Sequence, residues 1–85
     1  MKTTQNWSVY IIESESTKKL YTGITTDPRK RLEKHNTGKG AKATRVGRPW
    51  SIVYREASES KSAALKREAA IKKLPRIKKL ILIQS

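Results

Sequence analysis

Two runs rich in aromatic and β-branched residues, Trp7–Ile12 and Leu20–Ile24, are separated only by the polar stretch Glu13–Lys19. Such runs read as β-strands. Parallel pairing needs a crossover of about a dozen residues or more, which this link cannot supply, so an antiparallel hairpin is expected. Strand alternation puts Trp7, Val9 and Ile11 on one face and Ser8, Tyr10 and Ile12 on the other. Tyr21 and Gly23 then share a face. A glycine inside a strand weakens it and marks a close approach by backbone or ligand.

The rest of the chain punctuates itself. Asp27-Pro28 is a helix start, an N-cap residue followed by proline at the first helical position. That helix is expected to run through Asn36 and stop before Gly38. Thr37–Pro49 holds three of the four glycines and only basic charges, so it reads as a flexible cationic loop with room for a short helical turn. Trp50–Arg55 is a third strand. Ser58–Leu74 is expected to be a long helix, capped by Ser58 with Glu59 in its first turn and lysines at its end. Pro75 breaks it, and a terminal helix follows to Ile83 with Ile77, Leu80 and Ile81 on its packed side. There is no repeat or linker, so residues 1–85 are expected to form one domain. The order β-β-α-β-α-α predicts an α+β fold, a small three-stranded antiparallel sheet flanked by helices.

Charge narrows the partners. Lys and Arg number 20 against 7 acidic residues, a formal net charge of +13. Residues 1–28 balance, with Lys2, Lys18 and Lys19 against Glu13, Glu15 and Asp27. Residues 29–85 carry the whole excess. A basic face on a neutral platform is the footprint of a polyanion binder. Solubility alone needs a much smaller net charge. No membrane role is expected: the longest apolar run, Leu80–Ile83, is far short of the roughly 20 residues of a span. The N-terminus leads into no apolar stretch, so a cytoplasmic location is the expectation. Cysteine is absent and His35 is the only histidine. These counts exclude a disulfide framework, a cysteine nucleophile and a histidine-built zinc site. Oxygen ligands remain, and they suit Mg2+ or Mn2+.

Several residues could carry chemistry, each with a plain structural alternative. Glu68 has Ala64, Leu65 and Ile71 among its helical neighbours three and four positions away. It should lie on or beside the core stripe, where a carboxylate needs a partner. A metal ion and a salt bridge to an arginine on another element are equally suitable partners. Arg31 offers planar recognition of phosphate, and His35 lies one turn later on the same face. Both also fit a solvated basic helix with a structural histidine. Tyr10 and Tyr21 could meet across the hairpin. Nearby bases or a metal would lower a phenol from its ordinary pKa of about 10, making it a proton acceptor from water. Otherwise they are two half-buried strand aromatics.

Taken together, these residues resemble a known family. Val9-Tyr10 and Tyr21-Thr22-Gly23 look like the paired signatures that name the GIY-YIG nuclease superfamily. Thr25–Leu32 with His35-Asn36 resembles its arginine-bearing helix, and Ala64–Leu74 resembles the segment with its metal-ligating glutamate. The resemblance covers Trp7 to about Leu82 and is greatest to small stand-alone bacterial members. Ser8 and Thr22 depart from the usual glycine and isoleucine, while both tyrosines and Gly23 remain.

The resemblance implies a divalent-metal-dependent endonuclease, with DNA rather than RNA as substrate, in structured or damaged form. Glu68 would hold one Mg2+ or Mn2+, Arg31 would stabilise the phosphate, and Tyr10, helped by Tyr21 and with His35 as relay, would handle the attacking water. Gly23 and Asn36 would be structural members of the motif. Arg29, Lys30, Lys39, Lys42, Arg45 and Arg48 would grip flanking phosphates. Specificity would come from a protein partner, or selectivity would be slight. The alternatives are a non-catalytic DNA- or RNA-binding module retaining the fold, and a small structural RNA-binding protein.

Overall fold

The computed structural model describes residues 6–85; Met1–Gln5, including Lys2 and the N-terminal part of the expected domain, lie outside the described residues. Strand β1 (Trp7–Ser14) and strand β2 (Leu20–Thr25) form the expected antiparallel hairpin. Helix α1 (Pro28–Asn36) starts as the sequence indicates. The Asp27 carboxylate accepts from the Lys30 backbone N–H at 3.1 Å, and Pro28 occupies the first turn. A 3-10 turn (Lys42–Thr44) and strand β3 (Trp50–Ser58) follow, then helices α2 (Lys61–Lys72) and α3 (Arg76–Gln84). The sheet order is β2-β1-β3, with the hairpin strand β1 at the centre and antiparallel to both neighbours. The α+β architecture and its element order agree with the sequence reading. No helix among the described residues is long and apolar enough to cross a membrane.

Alternation along β1 feeds two separate cores. Val9 and Ile11 pack with Ala64 and Ile71 of α2 on one face. Tyr10 and Ile12 pack with Trp50 on the other, backed by Leu32 of α1. A β-bulge between Ile11 and Ile12 breaks the register with β3, pairing Ile11 with Tyr54 but Ile12 with Ile52. The extra residue lets Val53 and Tyr54 both pack on the α2 face. There the Tyr54 hydroxyl donates to Glu56, and Arg67 of α2 donates to Glu56 at 2.8 Å, tying helix to sheet.

Four expectations need correction. β3 keeps pairing with β1 as far as Ser58, so Ser58 does not cap α2. The cap is Ser60, whose hydroxyl accepts from the Ala63 backbone N–H at 3.0 Å, and Glu59 falls before the helix. On α3, Ile77 and Ile81 are 63% and 56% exposed, while Leu82 and Ile83 reach the core; the helix docks by the residues nearest its end. Leu65 is likewise exposed. Finally, residues 37–49 are anchored rather than free. Ser14, fully buried, donates to the Gly47 carbonyl at 2.6 Å. The Asn36 amide donates to the Trp50 carbonyl and accepts from its backbone N–H, at 3.1 and 2.7 Å. The Trp50 indole N–H donates to the Thr44 carbonyl at 2.9 Å. Buried polar groups must be satisfied, and here the loop backbone satisfies them.

Candidate active site

Tyr10 projects from the central strand toward α1 and is 2% exposed. Its register partner on β2 is Gly23. A Cβ at Gly23 would stand 2.5 Å from the Tyr10 oxygen and 2.8 Å from its Cζ, so the phenol lies flat over bare backbone. This is the close approach the strand glycine signalled. Tyr21, on the same face of β2, is half-buried and packs against the Tyr10 core.

His35 comes from the last turn of α1 and is fully buried. Its Nε2 lies 2.8 Å from the Tyr10 oxygen and its Nδ1 lies 2.7 Å from the Thr44 hydroxyl. The Tyr21 ring meets the imidazole edge-on, with centroids 5.3 Å apart. Counting protons fixes the direction of this chain. Thr44 has one hydroxyl proton and donates it to the Ala41 carbonyl at 2.8 Å, since a carbonyl can only accept. Thr44 Oγ1 therefore accepts from Nδ1–H. A neutral imidazole carries a single N–H, which leaves the Nε2 lone pair to accept the Tyr10 proton. Burial, and secondarily the Arg31 charge, lower the His35 pKa below its ordinary value and keep it neutral.

Tyr10 itself moves against expectation. Burial pushes its pKa up to about 12, outweighing the pull of the adjacent Arg31 guanidinium; Tyr21 and Glu68 add to the rise. The neighbouring bases do not lower it, because a phenol this deep loses more hydration than one cation returns.

Arg31 sits one turn before His35. Its Nε is buried without a hydrogen-bond partner, and the residue lines an open hollow of about 170 Å³ with Thr25, Thr26, Asp27, Lys30 and Lys34. Neither of the ion pairs formed among the described residues involves it. A buried donor with nothing to bond calls for an acceptor from outside, and phosphate oxygens match its planar fork.

Glu68, on α2 with its side chain 19% exposed, lies near enough for its charge to act on Tyr10. Its partner is Lys72, at 3.4 Å and one turn along the same helix, rather than an arginine from another element. The Lys72 ammonium also stands 5.8 Å from the Tyr21 ring centroid. No cluster of three potential metal-ligating residues exists among the described residues. Tyr10, Tyr21, Arg31, His35 and Glu68 thus converge from four elements, β1, β2, α1 and α2. Arg29, Lys30, Lys39, Lys42, Arg45 and Arg48 are all exposed; Lys30 lines the hollow and the last four lie on the anchored loop. Gly23 and Asn36 shape the site by making room and by latching β3. Sequence reasoning missed Thr44 and Lys72. Thr44 is the only hydroxyl residue between Gly40 and Arg48, and Lys72 stands four residues after Glu68; both signals were present but weak.

Comparison with known proteins bears on the fold and the family. The family model described as the GIY-YIG catalytic domain matches residues 6–80. UPF0213 proteins of Staphylococcus aureus are 55% identical over 60 residues, covering 71% of this chain and 72% of theirs. The solution NMR structure of a UPF0213 protein from Bacillus halodurans is similar at 43% identity and TM-score 0.59, covering 93% of this chain and 83% of that one. That of a protein from E. faecalis is similar at 36% identity and TM-score 0.64, covering 99% and 88%.

Proposed function

This chain belongs to the GIY-YIG catalytic-domain family, which supports a nuclease-type function and binding of nucleic acid, and from that premise we propose a divalent-metal-dependent endonuclease that hydrolyses phosphodiester bonds in DNA. The observation that carries the reading is the Tyr10–His35 pair, a phenol donating to a buried neutral imidazole beside an arginine with an unsatisfied donor. With a pKa near 12, Tyr10 is almost never a free phenolate at neutral pH. It can still accept a proton from water while passing its own to His35 Nε2, so that the imidazole is the net base. Arg31, with its free Nε, stabilises the charge gathering on the phosphoryl oxygens. Tyr21 holds the imidazole edge-on.

The donor set suits a hard cation: one half-buried carboxylate, Glu68, with the remaining positions left to water and substrate oxygens, as magnesium-like ions accept. Glu68 would hold one Mg2+ or Mn2+, whose Lewis acidity would offset charge on the leaving oxygen, and Lys72 would give up its contact. The exposed bases of α1 and of the anchored loop suit flanking phosphates.

Cleavage of labelled single-stranded, duplex, flapped and junction DNA and of RNA, with magnesium, manganese or chelator, tests the reading. Metal-dependent nicking that is lost in Arg31→Ala and Glu68→Ala, with binding retained in Glu68→Ala, is expected. Salt-sensitive binding with no cleavage above the variants, unchanged or tightened by Glu68→Ala, would favour a non-catalytic binding module instead.

A further inference from the structure

The cationic loop does more than present bases. Thr44, 1% exposed, sits in its 3-10 turn between Lys42 and Arg45 and is the sole described partner of His35 Nδ1. Three hydrogen bonds fix its position, two of them to the one Ala41 carbonyl. Its hydroxyl donates to Ala41, its carbonyl accepts from the Trp50 indole, and its backbone N–H bonds the Ala41 carbonyl at 3.0 Å. The loop also packs against the imidazole at Gly40, where a Cβ would collide with Nδ1 and the His35 backbone. Ser14 clamps the far end at Gly47, where a Cβ would stand 2.8 Å from the Ser14 hydroxyl.

We infer that Thr44 is a positioning residue: it fixes the Nδ1–H tautomer of His35, and with it the direction in which the Tyr10 proton can move. The segment carrying Lys39, Lys42, Arg45 and Arg48 thereby also orients the proton acceptor. The tautomer assignment follows from hydrogen-bond counting alone; its catalytic consequence rests on the nuclease reading. If the Thr44 hydroxyl is absent, Nδ1 faces no acceptor. The proton is then better placed on Nε2, where it donates to the Tyr10 oxygen. In that arrangement His35 can take no proton from Tyr10.

Nitrogen-15 NMR of imidazole-labelled full-length protein, above pH 7.5, reads the tautomer directly, because His35 is the only histidine. Wild type should show a protonated Nδ1 and an unprotonated Nε2. Thr44→Val, nearly isosteric, should move the proton toward Nε2 and slow single-turnover DNA cleavage by about 10²-fold, the low end of what a positioned proton acceptor supplies, with DNA affinity unchanged. Thr44→Ser should restore both readouts. A wild type protonated on Nε2, or a Thr44→Val protein with the wild-type tautomer, would overturn the inference. In a protein that cleaves nothing, the missing cleavage tells only against the nuclease reading and the spectra still decide: a Thr44-dependent tautomer supports the assignment, whereas a tautomer indifferent to Thr44 overturns it.

Discussion

Gly23 shows how much one missing side chain can determine. The Tyr10 ring occupies the space a Cβ would take, and both residues lie in the middle of paired strands. Gly23→Ala must therefore displace the phenol from His35. Overpacking of this kind costs about 1–3 kcal/mol, measurable by urea denaturation, and the variant should lose cleavage out of proportion to its loss of stability. His35 sets a pH dependence. Its pKa in the fold lies below the ordinary 6.5, through burial first and Arg31 second, while Tyr10, Tyr21 and Thr44 complete its surroundings. Because the unfolded chain takes up this proton more readily, the stability that neutral His35 contributes is complete above pH 6.5. It is lost as pH falls through the lowered value. Denaturation midpoints from pH 8 to pH 5 should fall in wild type, with that fall reduced in His35→Gln. An unaltered slope would mean His35 is not held neutral. Tyr10, raised to about 12, stays protonated throughout this range.

Among the elements, those set by local chemistry were legible and those set by distant partners were not. The hairpin and α1 follow from strand patterning and the Asp27-Pro28 start, and both form as read. The start of α2 was misplaced because β1 recruits β3 through Ser58, and a serine's choice between strand and cap depends on that non-local pairing. The face of α3 was misread because Ile77 and Ile81 satisfy helical periodicity as well as Leu82 and Ile83 do. Only docking separates them. Leu82→Ala should accordingly destabilise the protein, whereas Ile81→Ala should stay within about 0.5 kcal/mol of wild type, as thermal melts would show. The site residues were legible as a set because a family resemblance joined them. Thr44 was not, because a hydroxyl in a glycine-rich basic loop carries no periodicity. Asn36 is the latch between α1 and β3. Asn36→Ala leaves two Trp50 backbone groups without partners and should cost about 1–3 kcal/mol, seen as a lower denaturation midpoint.

At the scale of the molecule, a net charge of +13 surrounds a candidate site whose carboxylates are Glu68 and, at the edge of the Arg31 hollow, Asp27. Binding driven by such a surface releases counterions, so affinity should fall steeply with salt. With the loop bases gripping phosphate as proposed, Lys42→Ala or Arg45→Ala should each lower the slope of log affinity against log salt by about 1. Fluorescence anisotropy across a salt series reads this, and a slope unchanged by all four loop substitutions would remove the loop from the interface. The charge accounts for binding of nucleic acid, whereas the proposed chemistry depends on one proton path. The most direct test of that path is single-turnover cleavage by Tyr10→Phe, with DNA affinity measured alongside. The proton path through Tyr10 to His35 predicts cleavage reduced by about 10²-fold or more at unchanged affinity. Cleavage at the wild-type rate would contradict it.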